Sequence, residues 1–255
     1  MNRHLAAVVL LALAPGIQAA VEPQAHYNLK GAGGIRDTAC PPTLKDQAGK
    51  SPALARQGSP KVMSNGPDSR RLEYDSSIKF EQPDQCYSTP QNLVSGDNFM
   101  LETWAYALKA NAGGWHAVVA NGDGGRGFLL GQNSDHWSVL VGGIGAISLG
   151  KIIPGQWTHL AIVKASGRVS GWLNGRQTAD LPDLGGGGPN FSIGATAPNK
   201  EPFSGWVAEV RHATFQPGKF DPTADFLMDN AGLKIVLAAD KARRTQLVES
   251  LRYRS

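Results

Sequence analysis

Between Phe99 and His212 short apolar runs alternate with Gly, Pro, Asn and Asp. The clearest are Phe-Met-Leu-Glu-Thr-Trp-Ala at 99–105 and Gly-Gln-Trp-Thr-His-Leu-Ala-Ile-Val at 155–163. Gly-Trp-Leu-Asn-Gly at 171–175, Phe-Ser-Ile-Gly at 191–194 and Phe-Ser-Gly-Trp-Val-Ala-Glu-Val-Arg at 203–211 follow. Such runs recur about every ten to twenty residues, which predicts an all-β sandwich. Over 99–108 the side chains sort with period two: Phe99, Leu101, Thr103 and Ala105 on one face, Met100, Glu102, Trp104 and Tyr106 on the other. Both faces carry large apolar groups, so this strand is expected at the centre of a sheet with its outer face covered. Hairpin turns are predicted at Asn121–Arg126, Ser166-Gly167 and Asn174-Gly175, where residues tolerant of positive φ separate apolar runs. They connect expected strands at 115–120, 127–130, 158–164 and 169–173, with further ones at 136–141 and 146–149.

Before this region, residues 25–98 read as loop-rich, with strands expected at 26–29, 53–56 and 77–81 and a turn at Lys45–Lys50. After it the pattern changes. Leu237, Lys241, Arg244, Val248 and Leu251 lie three or four apart, which predicts a helix over about 238–253 with a basic outer face. That helix either docks on the sandwich or contacts an anionic partner. Residues 1–19 carry a basic start, an apolar run over Leu5–Ala14, a Pro15-Gly16 break and a small-residue site at Ile17-Gln18-Ala19. This is the pattern of a cleaved signal peptide; a retained anchor is the alternative. No other stretch is long and apolar enough to span a bilayer, so no membrane span is expected in the mature chain. The expected organisation is a signal peptide at 1–19, one sandwich domain at 20–220 and a tail at 221–255, in a secreted or periplasmic protein.

Composition narrows the class. With 41% apolar and 18% charged residues among 255, the chain is neither disordered nor a coiled coil. Its formal net charge is +4, and its Lys and Arg are scattered until the tail, so no nucleic-acid partner is expected. The two cysteines, Cys40 and Cys86, suit a disulfide in an oxidising compartment. Closing that loop of about 47 residues would stabilise the fold by about 4 kcal/mol on the chain-entropy model. Two free thiols are the alternative.

The order of these landmarks resembles the laminin-G-like, concanavalin-A-like jellyroll family, particularly its bacterial members, over about 25–217. The resemblance implies a two-sheet antiparallel jellyroll sandwich, here with a short C-terminal helix. It also implies a structural calcium, for which Asp46, Asp123 and Glu209 are the candidate ligands. Asp46 and Gly49 look like the remnant of the family's Asp-x-x-Gly-Asn. Ala208-Glu209-Val210-Arg211 stands where many relatives read Asp-Glu-Val-Arg. By family position Trp157 is a core residue and His159 a structural one.

The chain lacks the paired carboxylates Glu-x-Asp-x-x-Glu of a sandwich glucanase, a Gly-x-Ser-x-Gly elbow, His-Glu-x-x-His and a P-loop. No catalytic residue is assigned. Carbohydrate binding needs aromatic rings for the apolar faces of sugars and polar groups for their hydroxyls. Trp137, Trp172 and Trp206, with His136, are the residues expected to reach an outer face. The expected function is a non-catalytic module that binds a glycan on the concave face of the jellyroll. A protein-interaction, adhesion or envelope-assembly module, whose partner is a cell-envelope or extracellular protein, is the first alternative. A divergent glycan hydrolase or lyase is the second.

Overall fold

The computed structural model describes residues 21–29, 37–64, 66–67, 76–111, 113–123, 125–182 and 188–228. The expected signal peptide and the helix at 238–253 lie outside the described residues. The early strands are β1 (Val21–Tyr27), β2 (Thr43–Leu44), β3 (Leu54–Gln57), β4 (Lys61–Met63), β5 (Ser77–Phe80) and β6 (Cys86–Thr89). The central ones are β7 (Phe99–Ala107), β8 (Trp115–Asp123), β9 (Arg126–Asn133), β10 (His136–Val141) and β11 (Gly145–Lys151). The chain continues with β12 (Trp157–Ala165), β13 (Arg168–Leu173), β14 (Arg176–Pro182), β15 (Phe191–Ile193) and β16 (Gly205–Phe215), then one helical turn, α1 (Pro222–Asp225).

These strands form two eight-stranded antiparallel sheets, the jellyroll sandwich expected from the sequence. The first runs β14-β13-β12-β7-β16-β5-β4, with β1 also paired to β16; the second runs β11-β10-β9-β8-β15-β6-β3-β2. Phe99, Leu101, Ala105 and Ala107 of β7 enter the core between the sheets, with Leu160 and Ile162 of β12 and Val139 and Val141 of β10. Met100 and Trp104 join a second apolar cluster on the outer face of the first sheet. Period two thus sets both faces of β7, as the pattern predicts.

The cover on that outer face comes from the chain itself. After β16 it folds back, so that Phe226 and Met228 complete the second cluster. Asp221 caps α1 by accepting a hydrogen bond from Thr223 N–H. Phe226 sits against His159, Trp172 and Phe220 at ring separations of 5.0, 5.4 and 5.2 Å.

Two expectations are corrected. The strands flanking Asn121–Arg126 do not stop at that segment: β8 reaches Asp123 and β9 begins at Arg126. Gly122 and Gly127 pair with each other in the ladder, and the Gly188 backbone crosses them so closely that a Cβ on Gly122 would lie 2.7 Å from Gly188 Cα. Second, Cys40 and Cys86 are buried free thiols. Cys40 belongs to the inter-sheet core, as does Tyr87, and Cys86 precedes Tyr87 on β6. Alternation turns Cys86 to the other face of the sheet, so the two thiols do not meet. Beyond these corrections, the sequence pattern does not single out β2, β4, β6 and β14, which become strands by pairing with β3, β5, β15 and β13.

Candidate functional site

Three groups of polar and aromatic side chains share the outer face of the first sheet, because the ladders between its strands set them in rows. The innermost is a buried ion cluster. Glu102 of β7 lies directly across from Arg211 of β16. Its Oε1 accepts from Arg211 Nε at 2.6 Å, and its Oε2 meets His159 Nε2 at 2.7 Å and accepts from Leu227 N–H at 2.9 Å. Trp104 Nε1 donates to Leu227 O at 3.0 Å, and Arg211 also donates to Asp225 O. Burial alone would raise the pKa of Glu102. The Arg211 guanidinium, His159 and Leu227 N–H outweigh it and hold the carboxyl below its ordinary value. The cluster anchors the segment that crosses the sheet, and both oxygens of its carboxylate are engaged. His159 is therefore a structural residue, as its family position implies.

The second group surrounds Glu209, which forms a bulge in β16 with φ of +51°. Its carboxylate meets His26 Nε2 at 2.5 Å and accepts from Asn28 Nδ2 at 3.0 Å. Asp46 stands nearby but is spent on its own turn. One oxygen accepts from the backbone N–H groups of His26 and Ala48, the other from those of Lys50 and Ser51. Asp123 is on β8 in the other sheet. Calcium takes six to eight oxygens. Here the oxygens of Asp46 and Glu209 face N–H donors, and Asp123 belongs to a strand of the other sheet. No group of three or more His, Cys, Asp or Glu that could hold a metal occurs among the described residues. Among the described residues, Asp46 and Glu209 do not fit a calcium site.

The third group is an aromatic row. Trp157 of β12 pairs with Tyr106 of β7, and Tyr106 pairs with Trp206 of β16. Directly paired residues share a face, so all three rings stand on the outer surface, each half-buried. Tyr106 and Trp206 stack at 4.2 Å with 11° between their planes, and Trp157 tilts against them at 5.6 and 6.2 Å. The large exposed apolar side chains among the described residues are Leu108 and Ile153, in the loops that leave β7 and enter β12 at this same end.

The four residues expected from sequence to contact a ligand are scattered. Trp137 is 1% exposed and packs in the inter-sheet core beside Phe203. His136 lies on the outer side of the other sheet, with Nδ1 2.7 Å from Asp135. Trp172 is on the correct face, but Phe220 and Phe226 pack against it. Trp206 alone joins an accessible aromatic group. Trp157, expected in the core by family position, is on the outer face instead. Tyr106 is not among the residues expected to bind, although alternation along β7 already places it opposite the core-facing residues.

Comparison with known proteins supplies the family. Residues 81–213 match the laminin-G-type model described as the Concanavalin A-like lectin/glucanases superfamily. No curated protein sequence matches the chain. Among solved structures, domain 4 of the extracellular arabinanase AbnA from Geobacillus stearothermophilus, in complex with arabinotriose, is similar at 17% identity and TM-score 0.53; the match covers 82% of this chain and all of that one. The Trypanosoma rangeli sialidase in complex with sialic acid is similar at 13% identity and TM-score 0.57, over 85% of this chain and 35% of the sialidase. The botulinum neurotoxin serotype D binding domain is similar at 12% identity and TM-score 0.55, over 77% of this chain and 49% of its own length. At these identities the likeness is one of fold.

Proposed function

The chain belongs to the concanavalin A-like lectin/glucanase superfamily, and from that premise we propose that it is a secreted, non-catalytic carbohydrate-binding module whose platform is the row Trp157–Tyr106–Trp206. The observation that carries the reading is the row itself: three half-buried aromatic rings in register at one end of the outer face. Sugars present apolar C–H faces to such rings, and their hydroxyls keep contact with water and nearby polar groups. Domain 4 of the arabinanase, similar in fold, is in complex with arabinotriose, which agrees with this use of the fold.

The buried carboxylates favour binding over cleavage. A glycosidase needs an acid and a second carboxylate on opposite sides of one bond. Both oxygens of Glu102 are committed to Arg211, His159 and the Leu227 N–H beneath the covering segment. Glu209 is committed to His26 and Asn28. Neither faces the aromatic row as an available acid.

The test is a glycan screen of the full chain beside Trp206→Ala and Tyr106→Phe. Trp206→Ala is expected to weaken binding at least about fivefold, since losing one stacked ring costs on the order of 1 kcal/mol. Tyr106→Phe keeps the ring and should bind nearly as wild type. Undiminished binding by a folded Trp206→Ala protein would sink the assignment.

A further inference from the structure

The geometry points to a glycan bearing carboxylates, a polyuronate-type chain, as the ligand of the aromatic row, with its acid groups lying toward Lys61 and Lys79; this rests on the carbohydrate reading above. The row does not end at Trp206. Trp206 pairs with Lys79 of β5, and Lys79 pairs with Lys61 of β4. Paired residues share a face, and Ile78, Phe80 and Val62, which flank these lysines along the chain, point into the core. Trp157, Tyr106, Trp206, Lys79 and Lys61 therefore form one outward line across five adjacent strands. At roughly 4.8 Å per strand it runs about 19 Å, room for a short oligosaccharide laid across the strands.

The charges along this line are uneven. Lys61 is exposed, and its ammonium has no ion-pair partner among the described residues. Lys79 is mostly buried, with its ammonium 2.7 Å from Glu81. The end of the line away from Trp157 thus presents one unpaired ammonium, that of Lys61, beside rings that accept sugar faces, with Asp37 on the segment beyond it. A neutral glycan would use the rings and leave Lys61 idle. A glycan with a carboxylate on its sugar ring uses both, since one residue supplies the apolar face and a neighbour the charge. Glu81 opposes that attraction, which fixes the sign of a second variant.

Polygalacturonate, alginate and hyaluronan, each beside its neutral methyl ester, are titrated against the full chain at low and high salt. The acid forms should bind more tightly than their esters at low salt, with the difference shrinking as salt screens it. Lys61→Gln should lower affinity for the acid form about fivefold, the scale of a partly exposed ion pair, and leave the ester unchanged. Glu81→Gln should raise affinity for the acid form. Trp206→Ala should weaken both forms equally. Equal affinity for acid and ester, an equal loss on both in Lys61→Gln, or no binding of any acid form overturns the assignment. Binding of neutral glycans that Trp206→Ala still abolishes would leave the aromatic platform standing without the acid preference. Acid binding that Lys61→Gln weakens and Trp206→Ala does not would instead overturn the aromatic platform.

Discussion

His212 of β16 points into the inter-sheet core against Phe99, and neither ring nitrogen has a hydrogen-bond partner among the described residues. Burial lowers its pKa from 6.5 to about 4, because a charged imidazolium there would have no solvation. Below about pH 6.5 the unfolded chain takes up a proton that the folded chain refuses until about pH 4. Stability present at neutral pH is therefore lost as pH falls across that window, by roughly 3 kcal/mol from this residue. Glu102 acts in a different range. Its depressed carboxyl contributes stability above the ordinary carboxylate pKa, and that stability is given up as pH falls through its lowered folded value. A pH series of thermal unfolding should show both losses. His212→Leu should flatten the upper window and leave the more acidic one. A variant whose loss between pH 6.5 and 4 matched wild type would show that the buried imidazole is not its source.

Two elements carry the remaining stability arguments. In β6, alternation puts Tyr87 in the core and Cys86 on the opposite face, away from Cys40. Burial raises the Cys40 thiol to about 12 and the Cys86 thiol to about 11, so neither is a reactive thiolate at neutral pH. A reducing agent should leave the melting temperature unchanged, and a thiol reagent should titrate both cysteines only after denaturation. A drop in melting temperature under reduction would restore the disulfide. The segment after β16 is the second element. Phe226 is 1% exposed, packed against Trp172, His159 and Phe220. Phe226→Ala should destabilise by about 3–5 kcal/mol, as large-to-small changes in a packed cluster do. Destabilisation under about 1 kcal/mol in denaturant unfolding would mean that the segment is loosely held. The variant should retain glycan binding, because the stacked pair Tyr106 and Trp206 lies outside the cluster that Phe226 completes.

Across the whole molecule, local pattern and long-range assembly divided the work. Period-two alternation and turn chemistry are written in adjacent residues, so the sequence alone determined the all-β class, the run of strands from β7 to β13 and the covered outer face of β7. What it could not carry was which strands neighbour each other. Trp157, Tyr106 and Trp206 are far apart in the chain and belong to three strands; only the order β12-β7-β16 makes them one row. Trp137 and Trp172 sit in similar local patterns, yet one packs in the inter-sheet core and the other beneath the returning segment. Asp46 and Glu209 carry the residue types of a cation site, but folding turns backbone and side-chain N–H groups onto their oxygens. Alternation gives each side chain one of two faces. Which face is core, which is roofed and which is open depends on contacts between segments distant in sequence, and those only the tertiary structure decided.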